Sequence, residues 1–250
     1  MLRIGHKGAA ALAPENTLAS FRAAVEAGVD LVEFDVLRLD GGLVLGHSTR
    51  ELPAERATLD DALAFLADAG CGAHVDVKVA GAEEEIVAAI RRHGLEQNAF
   101  VSTVKAGVLR RFAALAPELG RALTYPEDRF RLTRTRLTAP LVSAGLAAAR
   151  ATLPRRIGAL LARAQADRAS LNDPLVTPAV VERCRALGVP VIVWTVNDPA
   201  RVRQFEAMGV DGVVTDDPRI FAATLSEGVG STEHAQERRR RLRRRRSGQE

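Results

Sequence analysis

The sequence predicts an α/β protein: a single (β/α)8 barrel of the TIM type, with a short hairpin after the second strand and a disordered basic tail. Three observations carry that prediction. Eight short β-rich runs alternate with longer helical patterns, the signature of βα units around a parallel sheet. Each run is trailed by a helix, which favours a closed barrel over an open doubly wound sheet. The length, 250 residues, suits one barrel domain.

Strands are expected near residues 2–5, 31–36, 73–79, 99–103, 120–124, 167–171, 190–195 and 212–215. Helical patterns follow at about 16–27, 58–69, 82–93, 106–116, 140–164, 177–187, 198–207 and 217–225. The first strand closes in Gly5-His6, and Pro14-Glu15-Asn16 shapes the entry to the first helix, with Asn16 as its cap. Leu43-Val44-Leu45 after Gly41-Gly42 predicts a hairpin appended to strand two. The fifth unit is the least regular, because Arg129 to Arg136 is polar and Pro154 is a candidate break in its helix. The barrel is expected over residues 1–227, and 228–250, which lack apolar periodicity, as a disordered tail.

The composition, 47% hydrophobic and 26% charged, is that of a soluble globular protein. With only 4% aromatics, the core must be built from Ala, Val and Leu. No apolar run approaches the roughly 20 residues that span a bilayer. The opening Met1-Leu2-Arg3-Ile4-Gly5-His6 has no charged-then-apolar leader pattern, and Cys71 and Cys184 read as two reduced thiols, so a cytoplasmic location is expected. The net charge of +4 belongs to the tail: eight arginines (Arg238 to Arg241, Arg243 to Arg246) stand there against Glu233, Glu237 and Glu250, leaving 27 basic and 28 acidic residues elsewhere. Weak electrostatic contact of this tail with an anionic membrane or nucleic acid is compatible with that charge, and no specific nucleic-acid partner is expected.

Strand alternation locates the chemistry. In Leu31-Val32-Glu33-Phe34-Asp35-Val36 the residues Val32, Phe34 and Val36 face the helix layer, so Glu33 and Asp35 face inward. By the same parity His74, Asp76 and Lys78 line the interior, with His74 deeper and read as core. Three carboxylates a few ångströms apart repel by roughly 4 kcal/mol per pair even at an effective dielectric of 20. One bound divalent cation would remove that cost, and all-oxygen ligation points to magnesium, calcium or manganese. His6, ending strand one, and His47, ending the hairpin, are candidates for proton exchange near neutral pH. Lys7 and Lys78 add charge that suits a phosphate, Glu15 should lie near the pocket, and Trp194 ends strand seven as core or pocket wall.

These residues resemble the opening signature of the glycerophosphodiester phosphodiesterase family: His6-Lys7-Gly8, Pro14-Glu15-Asn16-Thr17, Phe21, Glu33-Phe34-Asp35-Val36, Asp40-Gly41 and His47. The match continues in order through Thr58-Leu59-Asp60-Asp61-Ala62-Leu63, Asp76-Val77-Lys78, Val193-Trp194-Thr195-Val196-Asn197 and Gly209-Val210-Asp211-Gly212-Val213-Val214-Thr215-Asp216. The resemblance implies metal-dependent hydrolysis of a small-molecule glycerophosphodiester to glycerol 3-phosphate and an alcohol. Carried over by position, His6 and His47 would be the acid–base pair, and Glu33, Asp35 and Asp76 the metal ligands. Lys7 and Lys78 would contact phosphate, with Glu15 and Trp194 as further candidate substrate contacts. The pattern departs in four places: the family usually has arginine at Lys7, glutamate at Asp76 and aspartate at Ser48, and only 28 residues separate His47 from Asp76, where many members carry a larger insertion that helps enclose substrate. Two other readings stay open. One is a sphingomyelinase D-like or lysophospholipase D-like enzyme acting on lipids: the sphingomyelinase D-like phospholipases are similar in using two histidines with Glu, Asp and Asp, although the Pro14 and Trp194 motifs favour the first family. A non-catalytic phosphate-binding barrel is the other.

Overall fold

A computed structural model describes residues 1–50, 52, 56–126 and 139–223. The expected tail from 228 and the polar stretch Arg129 to Arg136 lie outside the described residues. In chain order the elements are β1 (Leu2–Gly5), α1 (Leu18–Glu26), β2 (Leu31–Leu39), β3 (Gly42–Leu45), α2 (Leu59–Ala69), β4 (Gly72–Val77), α3 (Glu83–Arg92) and β5 (Ala99–Thr103). They continue as α4 (Ala106–Leu115), β6 (Gly120–Tyr125), α5 (Ala139–Ala164), β7 (Arg168–Asn172), α6 (Pro178–Ala186), β8 (Val191–Trp194), α7 (Pro199–Met208) and β9 (Gly212–Thr215). The sheet runs β1-β9-β8-β7-β6-β5-β4-β2 and closes where β1 also pairs with β2, giving an eight-stranded parallel barrel. The predicted hairpin is β3, antiparallel to β2 outside the ring, with Val36 facing Leu45.

Local signals start and stop the helices. Thr17 and Ser20 form a reciprocal capping box at α1, and Thr58 with Asp61 does the same at α2. Thr17, not Asn16, therefore caps α1. Helix α7 starts at Asp198 with Pro199 behind it and stops at Gly209, whose φ of 79° suits glycine. Pro154 does not break α5, which runs unbroken from Ala139 to Ala164. Its buried face, Leu153, Ile157, Leu161 and Ala164, continues across the proline, and that packing outweighs the one backbone hydrogen bond the ring removes. After β9 the expected helix is a 3-10 segment, Pro218–Ala223, pinned by the buried Phe221.

Two apolar layers result. Val32, Phe34, Val36, Val75 and Val77 pack outward against helix residues such as Ala24, Leu63, Leu66, Ile86 and Ile90. Inside the barrel a smaller plug of Ile4, Leu31, Phe100, Ala122, Ile192 and Val214 fills the middle. A cavity of about 320 Å³ opens at the N-terminal end of the strands, lined by Leu2, Asp30, Gly72, Phe100 and Arg168. The polar cluster occupies the other end, where barrels of this class carry their chemistry.

Candidate active site

Above the plug, the inward positions turn polar. Ile4 is in the plug, so His6, two residues on, emerges at the mouth; Leu31 is likewise followed inward by Glu33 and Asp35. Strand register sets Asp35 beside Asp76, and Asp76 beside Ser102. Glu33, Asp35 and Asp76 each offer a carboxylate oxygen within 4.8 Å of the others, and among the described residues they are the one such cluster of possible metal ligands. Asp35 and Glu33 are buried, at 1% and 5% exposure.

Each histidine is held through Nδ1 on a carboxylate. His6 Nδ1 donates to Asp216 Oδ1 at 2.5 Å, with its Nε2 3.9 Å from Glu33 Oε2. His47 Nδ1 donates to Asp35 Oδ2 at 3.3 Å. Because a carboxylate only accepts, these bonds leave Nε2 of each ring as the nitrogen open to proton exchange. Asp216 is itself fixed by Asn197, whose Nδ2 donates to Oδ2 at 2.6 Å and whose Oδ1 accepts from the Asp216 amide at 2.9 Å. Burial works to lower the pKa of His6, but the Asp216 hydrogen bond and the nearby Glu33 charge outweigh it, and the net shift is upward. Asp216 is held below the usual carboxylate range by the His6 bond.

Lys7 has a φ of 49° and Gly8 one of 88°, a tight return that brings the Lys7 amide to Glu33 Oε2 at 2.8 Å. A Cβ on Gly8 would meet Ser20 Oγ at 2.3 Å, so glycine is required there. The Lys7 ammonium reaches Glu15 Oε2 at 2.9 Å, which sets Glu15 at the rim. Asn16, 1% exposed, clamps Asp35: its Oδ1 accepts from the Asp35 amide at 2.9 Å and its Nδ2 donates to Oδ2 at 3.1 Å. Lys78 bridges Asp35 Oδ1, at 2.7 Å, and Asp76 Oδ2. Although burial disfavours its charge, the two carboxylates raise the Lys78 pKa, while His47 and Lys78 overcome burial to hold Asp35 low. Trp194 lies on the inner face against the plug, with its Nε1 buried and lacking a hydrogen-bond partner.

The donor set fits a hard divalent cation. It is all oxygen and converges from two adjacent strands. Burial pushes Glu33 up to about 7, with the attraction of His6 opposing that and the charges of Asp35 and Asp76 adding to it. A bound cation would relieve this cost and return Glu33 to its ionised form. Lys78 already neutralises part of the cluster, so such a cation would share Asp35 and Asp76 with an ammonium group.

The model of the glycerophosphoryl diester phosphodiesterase family matches residues 6–52 and 45–220. The chain belongs to that family. As a member it is a phosphoric diester hydrolase. A glycerophosphodiester phosphodiesterase of Caldanaerobacter subterraneus is 25% identical over 91% of this chain and 98% of its own length. A phosphodiesterase of Oleispira antarctica, solved in complex with the product sn-glycerol-3-phosphate, superimposes with a TM-score of 0.70 at 21% identity, covering 91% of this chain and 97% of that one. A glycerophosphodiester phosphodiesterase of Agrobacterium tumefaciens gives a TM-score of 0.67 at 21% identity, over 89% and 99%. At these identities the solved structures establish the shared barrel fold.

The structure adds residues to the site that sequence reasoning did not assign. Asp216 and Asn197 lie within matched motifs but carried no role, and Asn16 was read as a helix cap. Ser102 went unnoticed, although it is the inward residue of β5 beside Asp76. His74, read as core, is buried at 3% exposure, and burial holds its pKa down at about 3.

Proposed function

We propose that this barrel hydrolyses a glycerophosphodiester to glycerol 3-phosphate and an alcohol, with His6 and His47 exchanging protons and Glu33, Asp35 and Asp76 holding one divalent cation. The observation that carries this reading is the meeting, at one barrel mouth, of three carboxylates within 4.8 Å with two histidines fixed through Nδ1. Family membership and the product bound to the Oleispira antarctica relative support the substrate class.

One histidine withdraws the proton of the attacking hydroxyl through its open Nε2, and the other protonates the departing alkoxide. The attacking group is water, or the glycerol 2-hydroxyl, which expels the alcohol to leave a cyclic phosphate that water then opens to glycerol 3-phosphate; the same residues serve both. When bound, the cation (magnesium, calcium or manganese) supplies positive charge that polarises the phosphoryl group. Lys78 keeps Asp35 and Asp76 in place and adds its own charge to the mouth. Lys7 exchanges its Glu15 partner for a phosphate oxygen, as a point charge instead of the two-pronged grip of arginine. Lys7→Ala is accordingly expected to raise KM while Lys7→Arg lowers it; steady-state kinetics giving an unchanged KM in Lys7→Ala would remove Lys7 from substrate binding. Trp194 walls the pocket. Cys71 and Cys184 are buried thiols, which supports a cytoplasmic setting.

The eight arginines of the tail suit weak attachment to an anionic surface. Sedimentation with anionic vesicles should weaken steeply between low and physiological salt, and truncation after Ser226 should leave turnover of soluble substrate unchanged. Salt-independent sedimentation would overturn the attachment.

The overall reading is tested by incubating the protein with a panel of glycerophosphodiesters and lysophospholipids, with and without chelator, and measuring released alcohol and phosphomonoester. Glycerol 3-phosphate release that the chelator abolishes and added cation restores is the expected result. Turnover of lysophospholipids alone, or turnover indifferent to chelator, contradicts it.

A further inference from the structure

We propose that His74 and Ser102 form a buried relay that fixes the direction of Asp76 and so sets how tightly the carboxylate cluster holds a divalent cation. This rests on reading Glu33, Asp35 and Asp76 as the cation's ligands.

The relay follows from counting protons. Ser102 Oγ lies 2.7 Å from Asp76 Oδ1, and the carboxylate can only accept, so the single hydroxyl proton of Ser102 is committed there. Ser102 Oγ also lies 2.8 Å from His74 Nε2, and having spent its proton it must accept in that bond. The His74 proton therefore sits on Nε2, and the chain runs one way, from imidazole to hydroxyl to carboxylate. Nδ1 is left as a lone pair, buried and without a hydrogen-bond partner. His74 cannot readily turn to offer the other nitrogen. It is 3% exposed and stacked on Phe100, with ring centroids 4.1 Å apart and 28° between planes.

Asp76 has particular need of such support. Its carboxylate stands on a single methylene, so its oxygens have short reach and their direction matters. Its Oδ2 is engaged by Lys78 and its Oδ1 by Ser102. Neither His74 nor Ser102 belongs to the cation's proposed ligand set; both act on Asp76 from below as positioning residues. Hydrogen-bonded partners of metal-binding carboxylates typically alter metal affinity by about 10- to 100-fold when removed.

The test is manganese binding to the full chain, measured by calorimetry and by electron paramagnetic resonance. The proteins compared are wild type, Ser102→Ala, His74→Met, His74→Gln and the Ser102→Ala/His74→Met double variant. Ser102→Ala and His74→Met should each weaken binding about 10-fold. His74→Gln, which keeps an N–H at similar reach, should stay within about 2-fold of wild type. The double variant should bind no more weakly than Ser102→Ala, because removing the first link costs nothing once the second is gone. Wild-type affinity in Ser102→Ala, or losses that simply add in the double variant, would overturn the relay. If His74→Met does not fold, Ser102→Ala, which loses one oxygen, decides by itself. A wild-type protein with no manganese site, or one whose site survives Asp35→Asn, overturns the cation reading instead, and the relay with it.

Discussion

His6→Ala and His47→Ala are each expected to lower turnover about 10²-fold or more while leaving the fold intact. The size of the effect follows from the proton transfers assigned to them: each would carry one, and among the described residues no other imidazole shares the mouth. Of the rest, His74 is sealed beneath it and His93 pairs with Asp60 on the exterior. The small effect on stability follows from position. The His6 and His47 side chains are 24% and 41% exposed, so neither leaves a large cavity in the core. The check is kcat on the glycerophosphodiester turned over best, together with a thermal melt. Near-full activity in either variant would end the two-histidine mechanism, and a collapsed melt would recast that histidine as structural.

Asp216→Asn should cost about 10²-fold or more in kcat with little change in KM, although it alters the size of no side chain. The reasoning is again a matter of donors and acceptors. Asn197 Nδ2 donates to Asp216 Oδ2 at 2.6 Å, so an asparagine at 216 must turn its carbonyl oxygen to that side. Its NH2 group then faces His6 Nδ1, which is obliged to accept, and the His6 proton moves to Nε2. The imidazole would keep its place with the wrong nitrogen protonated. A variant retaining more than half the wild-type kcat would show that Asp216 does not set the His6 tautomer.

Strand parity explains why much of the site could be read from sequence. Glu33, Asp35 and Asp76 alternate with valines and phenylalanine that the helix layer buries, so a period of two sends the carboxylates inward wherever the barrel closes. Partnerships across the barrel were not legible. Asp216 is 210 residues from His6, and only ring closure of β1 onto β9 brings them together. Asn16 and Thr17 are both capping residue types in adjacent positions, and the contact of Asn16 with Asp35 decides between them from outside the local sequence. Pro154 looked like a helix break because the local rule is strong, yet an apolar face shared by both halves of α5 prevails. Lys78 has the charge expected of a phosphate ligand, and its ammonium bridges Asp35 and Asp76, a pairing that parity alone does not give.

That bridge makes the decisive measurement a structural one. Crystals grown with manganese and glycerol 3-phosphate, and measured at the manganese absorption edge, would show directly what the carboxylates hold. The account predicts one anomalous peak ligated by Glu33, Asp35 and Asp76, with the phosphate lying between His6 and His47. A mouth without manganese, in which Lys78 still bridges Asp35 and Asp76 and the phosphate is bound elsewhere, would contradict it.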